Sequence, residues 1–258
     1  MAFSDVAIVL AGLVGIFLIC LMTLLVCERS PINPENVLLL DTFQQYRFLG
    51  AGTTPLQDHK PEVGRWIAYT ADPRVPTIYV VDNAGYATSE LPDALNFSPF
   101  TSINSEENEL ISELRIRLPV NVNELIAGVP MDVLMGFTDN QNENNIISAI
   151  LLFSRNETTQ QLQYQIRTQS SDNITTDSLT KPLRSFQMEN GFEFTLFMSV
   201  YKGYVQAWLE DKAGGLSVST ITLEPITVYD AFGLSLGFFG GIGKAQVTYC
   251  KVSYIHRP

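Results

Sequence analysis

Few side chains in this chain of 258 residues have the type and spacing that chemistry requires. The two histidines are His59 and His256, and Cys250 is the one cysteine beyond an apolar N-terminal run that also contains Cys20 and Cys27. A Ser-His-Asp arrangement needs a histidine held by a carboxylate beside an activated serine, and no local spacing supplies one. Cys250 lies inside a strand and reads as a small core or sheet residue rather than a partner of His256. Two histidines and one cysteine fall short of a zinc site. The string Gly240-Gly241-Ile242-Gly243-Lys244 has glycines like those of a phosphate loop. However, Phe238 stands where the first glycine belongs and Ala245 where a Ser or Thr must hold the metal.

Calcium is the remaining cofactor to weigh. Asp139-Asn140-Gln141-Asn142-Glu143-Asn144-Asn145 offers oxygen ligands in abundance, including Asp139, Asn142 and Glu143. It lacks the glycine at the sixth position and the closing glutamate of a hand-type loop, and an Asx-rich hairpin turn accounts for the same residues. Aromatic side chains such as Trp66, Trp208, Tyr69, Tyr79 and Tyr86 could stack on sugar rings or fill a core. Three Asn-x-Ser/Thr sequons, at Asn96, Asn156 and Asn173, are candidate glycosylation sites. With 27 acidic against 16 basic residues, the net charge is −11. No basic stripe exists to displace counterions, which disfavours nucleic acid as a partner.

The elements that must carry these residues divide sharply at the N-terminus. Residues 6–26 contain no charge, and as an α-helix they reach about 30 Å, the thickness of a bilayer's hydrocarbon core. The run is too long, and its N-terminal flank not basic enough, for a cleavable signal. The expected organisation is a tail at 1–5, a transmembrane anchor at 6–27, a linker at 28–36 and one folded domain at 37–258. Ala7, Ala11 and Gly15 place small side chains on one stripe of the anchor, where a second membrane helix could pack. Arg29, directly after the span, leans toward a cytosolic position for the domain; the sequons leave the outward side open.

Past the linker, period-two alternation dominates. Leu114, Ile116 and Leu118 alternate with charged residues, and Leu162, Tyr164, Ile166 and Thr168 with glutamines and an arginine. Phe192, Phe194, Leu196, Met198 and Val200 form another face, followed by Lys202-Gly203 and a second alternating run through Trp208. That pair reads as a hairpin with Gly203 in the positive-φ position. The acidic stretch 106–113 reads as a solvated strand edge, and residues 121–127 are the best candidate for a short helix. The pattern predicts an all-β fold, a two-sheet antiparallel β-sandwich with Phe194, Leu196, Met198, Trp208, Leu234 and Leu236 between the sheets.

Asp41-Thr42-Phe43, then Pro55-Leu56-Gln57-Asp58-His59-Lys60-Pro61-Glu62-Val63-Gly64-Arg65-Trp66, resembles the opening of concanavalin A-like (laminin G-like) jelly-roll domains. The closing half, with a Phe/Leu-rich strand, Gly203, a strand through Trp208 and a glycine-rich approach to the last strand, is similar too. The resemblance implies a jelly roll and a structural role for His59 in holding its loop against Trp66. Glycanases of that superfamily carry Glu-x-Asp-x-x-Glu on one strand, because retaining hydrolysis needs two carboxylates about 5 Å apart. No such string occurs here, so the chain is expected not to be an enzyme.

Binding is expected from the loops bearing His59 and Trp66 or Asp139, Asn142 and Glu143, or from a sheet face. The sequence-based expectation is a single-pass membrane protein of a virion internal membrane or a cell membrane. Its β-sandwich would serve as a structural or assembly component, such as a minor capsid or virion membrane protein. A lectin-like adhesion module is the alternative. The partners would be the lipid bilayer, coat proteins and, in the alternative, glycans.

Overall fold

The computed structural model describes residues 36–44, 53–69, 78–81, 85–89, 95–118, 131–139, 142–170, 175–182, 192–211, 216–222, 228–236 and 245–257. The anchor at 6–27, with Ala7, Ala11 and Gly15, the helix candidate at 121–127 and the sequon at Asn173 lie outside them. Among the described residues no helix is long and apolar enough to cross a membrane.

Among the described residues seventeen strands follow one another: β1 (Val37–Asp41), β2 (Thr53–Pro55), β3 (Ile67–Tyr69), β4 (Ile78–Val81), β5 (Tyr86–Ser89), β6 (Leu95–Asn104), β7 (Asn108–Leu118), β8 (Met131–Asp139), β9 (Asn142–Arg155), β10 (Leu162–Ser170), β11 (Thr175–Asp177), β12 (Lys181–Pro182), β13 (Phe192–Tyr201), β14 (Tyr204–Asp211), β15 (Leu216–Thr222), β16 (Val228–Leu236) and β17 (Gln246–His256). They form two antiparallel sheets. The nine-stranded sheet runs β15-β14-β13-β7-β17-β5-β4-β2, with β1 also paired to β17; the eight-stranded sheet runs β11-β10-β9-β8-β16-β6-β3, with β12 also paired to β10.

The alternation seen in the sequence sets which faces meet. Along β13, Phe194, Leu196, Met198 and Val200 are buried, and along β10 so are Leu162, Tyr164, Ile166, Thr168 and Ser170. Phe194 stands tilted against Phe153 and edge-on to Tyr164, ring centroids 5.4 Å apart in both cases, which joins the two sheets. Cys250 is fully buried in β17, as its reading as a small core residue within a strand implied.

The β13–β14 hairpin turns on Lys202 (φ 48°) and Gly203 (φ 73°). Positive φ at both central residues is the mirror-image turn whose twist matches flanking strands.

Two expectations need correction. The acidic stretch ends on β7, which is no edge: it pairs with β13 on one side and β17 on the other. Glu109 and Glu113 stand on the outer face of β7 instead, and Glu106 and Glu107 lie in the turn before it. Trp208 is not between the sheets. Val205, Ala207 and Leu209 take the inward positions of β14, and the two-residue period turns Trp208 outward.

Candidate functional site

The loop between β2 and β3 carries the chain from the nine-stranded sheet to the eight-stranded one. It contains a 3-10 turn at Leu56–Asp58, His59 and Trp66. Asp41, at the end of β1, is the fully buried centre that holds this loop. Its Oδ1 pairs with Nε2 of His59 at 2.8 Å and accepts the backbone N–H of Phe43 at 2.8 Å. Its Oδ2 accepts the indole N–H of Trp66, also at 2.8 Å. Phe43 then stacks on the His59 ring, 5.7 Å between centroids, and Trp66 lies tilted over Phe232 of β16.

Alongside, Leu40 and Val63 exchange backbone hydrogen bonds of 3.1 Å, and Glu62 accepts from both the backbone N–H and the hydroxyl of Thr42. Gly64 has φ 86°, and a Cβ there would lie 2.7 Å from the carbonyl oxygen of Leu38. Only glycine fits that approach without strain. His59 and Trp66 are therefore brought together, as the resemblance implied, by a carboxylate that no spacing within the loop revealed. A buried carboxylate is tolerable because three donors surround it.

Asp139 ends β8, pairing with Asn142 at the start of β9. Its carboxylate adds to burial in pushing the phenol of Tyr229 above the ordinary tyrosine range. The backbone of Asn142 and Glu143 begins β9, the position a hairpin turn predicts. Among the described residues no group of three His, Cys, Asp or Glu side chains gathers as a metal site.

The two described sequons differ in access. Asn96 lies buried in β6 between Ala68 and Leu234, where a glycan has no room. Asn156 sits in the β9–β10 turn, its Oδ1 accepting the N–H groups of Thr158 and Thr159 at 2.9 and 2.8 Å. His256 is exposed at the end of β17, 3.4 Å from Asn108. Burial raises the Cys250 thiol well above its ordinary range, which disfavours the thiolate.

Trp208, which the sequence offered both as a sugar-stacking aromatic and as core, lies on the outer face of the nine-stranded sheet among residues that the sequence did not single out. Trp208 is cross-strand from Phe197, with ring centroids 5.0 Å apart and planes 10° from parallel. Val218, exposed on β15, flanks the indole on its other side. At the next outward rung, toward the strand ends, a cleft of about 420 Å³ is lined by Arg115, Glu193, Thr195, Glu210 and Thr248. Arg115 lies over the ring of Tyr249 at 4.3 Å and donates to Glu113. A second cleft, of about 550 Å³, runs over β9 and β10 between Ser154, Gln163, Gln165 and Arg167. The unbroken row Gln161, Gln163, Gln165, Arg167 in the sequence was the signal for that polar face.

The fold of these two packed antiparallel sheets is matched among solved structures. A xylan β-1,4-xylosidase from Bacillus halodurans superposes with a TM-score of 0.51 at 12% identity, over 83% of this chain and 38% of that one. The chain has the concanavalin A-like jelly-roll fold. Other jelly rolls align less closely. A Bauhinia forficata lectin in complex with GalNAc gives 0.47 at 9% identity, over 80% of this chain and 99% of the lectin. The CBM2 module of an evolved Dit protein from Lactobacillus casei BL23 phage J-1 gives 0.48 at 12% identity, over 86% and 97%. No protein-family model and no curated protein sequence matches the chain.

Proposed function

We propose that this chain is a non-catalytic carbohydrate-binding jelly roll, held at a membrane by its N-terminal apolar run. The observation that carries the reading is Trp208, turned outward and stacked on Phe197 beside a polar cleft. A large aromatic on a solvated sheet face does not contribute to the core, and an aromatic face next to polar groups suits the apolar ring face and hydroxyl rim of a sugar. The proteins of similar fold include a lectin solved with GalNAc, which accords with the reading.

The absence of catalysis is supported by the fate of the candidate groups. His59 is enclosed and committed to Asp41, Cys250 is buried with its thiolate disfavoured, and the sequence contains no Glu-x-Asp-x-x-Glu string. The test is a glycan array probed with the chain, together with polysaccharide turnover assays. Binding without turnover supports the proposal, and turnover abolished by one acidic substitution overturns it.

The structural or assembly role draws on the same face, where Tyr204, Val218 and Ile255 leave apolar surface in solvent. Stable co-purification with a coat protein, without glycan binding, would favour it. Membrane attachment is tested separately. The full chain should stay with membranes through an alkaline carbonate wash, and deletion of residues 1–30 should release the jelly roll.

A further inference from the structure

We infer that the outer face of the β13–β14 hairpin takes a neutral, extended oligosaccharide lying along the strands, rather than one terminal sugar. The inference rests on the carbohydrate-binding reading and adds the length and charge of the ligand.

The register of the hairpin produces alternating rungs. Tyr201 faces Tyr204, Ser199 faces Gln206, Phe197 faces Trp208 and Thr195 faces Glu210. All of these point outward, because Met198, Val200, Val205, Ala207 and Leu209 between them are buried. Aromatic rungs therefore alternate with hydrogen-bonding ones. Tyr204 and Trp208 are four residues apart, which on a strand is about 13 Å. One pyranose ring cannot touch both, whereas a chain of several can.

The shape favours the same ligand. Phe197 covers one face of the indole, so the opposite face turns toward β15. There Val218 and Thr220 lie opposite Trp208 and Gln206, short side chains that leave a shelf beside the aromatic wall. Tyr204, 47% exposed, continues that wall toward the turn. At the other end the shelf meets the 420 Å³ cleft at Thr195 and Glu210. A ligand along the shelf would place ring faces on Trp208 and Tyr204, a hydroxyl at the Gln206 carboxamide and its end among the polar groups of the cleft.

Charge selects against an anionic glycan. From Thr195 to Tyr201 and from Tyr204 to Trp208 the outward side chains carry no charge. On the adjoining strand, Glu113 is engaged by Arg115 and Glu109 by Arg257. Lys202, at the turn, is drawn over the Tyr201 ring at 4.9 Å. Among the described residues, a sulfated or uronic chain would meet no cation along the shelf beyond these engaged ones, on a molecule of net charge −11.

The experiment titrates the full-length chain, in a detergent without a sugar headgroup, with linear oligosaccharides of glucose, mannose and xylose. These run from one to six units, with sulfated and uronic counterparts. A neutral tetrasaccharide should bind at least about tenfold more tightly than its monosaccharide. Trp208→Ala should weaken every length by about tenfold, Trp208→Phe should recover part of that loss, and Tyr204→Ala should weaken the tetrasaccharide while sparing the disaccharide. Near-UV circular dichroism of each variant establishes that its fold is intact.

A monosaccharide bound as tightly as the tetrasaccharide, an unchanged tetrasaccharide affinity in Tyr204→Ala, or equal binding of a sulfated chain would overturn the inference and leave the carbohydrate-binding reading standing. Failure of every saccharide to bind would overturn both.

Discussion

The two tryptophans of this chain occupy opposite situations. Trp66 is enclosed, donates its indole N–H to a buried carboxylate and packs over Phe232. Trp208 stands on the outer face of the nine-stranded sheet, stacked on Phe197. The first is fully used by the fold: its apolar surface closes the crossing loop onto the core, and its polar atom satisfies Asp41. The second contributes the stacking on Phe197, beside Val218 of the neighbouring strand, on a face that looks to solvent. The comparison teaches that aromatic residues in a jelly roll are sorted by parity along the strand and by what meets their N–H, not by size. An aromatic that the fold leaves partly unused is the one available to a ligand.

Four substitutions would break or sharpen this contrast, beginning with the largest effect. Trp66→Ala empties a core position and removes a donor from Asp41. It should cost about 3–5 kcal/mol in denaturant unfolding of the full chain, and a loss below about 1 kcal/mol would mean that the crossing loop is held by something else. Asp41→Asn leaves a neutral amide where three donors converge on a carboxylate. The expected loss is about 1.5–3 kcal/mol, read from the same unfolding curves, with His59→Gln or Trp66→Phe added to find which donor carries most of it.

Trp208→Ala should cost only about 1 kcal/mol, the order of one aromatic pair. Its companion measurement is quenching by acrylamide: with Trp66 replaced by Phe, the remaining indole should be readily quenched, and with Trp208 replaced it should be protected. Equal quenching of the two would contradict their placement.

The smallest effect is at the exposed pair of Asp177 and Arg167, bidentate at 2.7 and 3.0 Å. Hydrogen bonding to Arg167 holds the Asp177 carboxyl below its usual range, against the opposing effect of partial burial. A group with a depressed folded-state pKa contributes stability above its unfolded pKa and loses it as pH falls through the folded value. Asp177→Asn should therefore cost under about 1 kcal/mol at neutral pH, since solvent screens the pair. The variant and the parent chain should converge in acid; a difference that grows on acidification would reverse the assigned sign.

Reading along the chain recovered most of the architecture and less of the site. The strands through Phe194, Leu196 and Met198 and the positive-φ turn at Gly203 follow from local rules, namely side-chain alternation and the conformational freedom of glycine. The pairing of His59 with Trp66 was legible through resemblance, but its cause was not: Asp41 is 18 residues from His59 and 25 from Trp66.

Trp208 was misplaced because a strand with bulky residues on both faces does not itself say which face is inside. Two alternating sets, Tyr204, Gln206, Trp208 and Val205, Ala207, Leu209, compete on near-equal terms until the facing sheet chooses between them. The central place of β7 was hidden for a related reason, since its charged residues describe one face and say nothing of its neighbours. Sequence by itself determined that the chain alternates and where it turns, because those properties depend on residues adjacent along the backbone. Only the tertiary structure decided which strands are central, which tryptophan is buried and which aromatic rungs line up in solvent. Those outcomes depend on pairings between residues far apart in the chain, and the order and register of the strands are what set them.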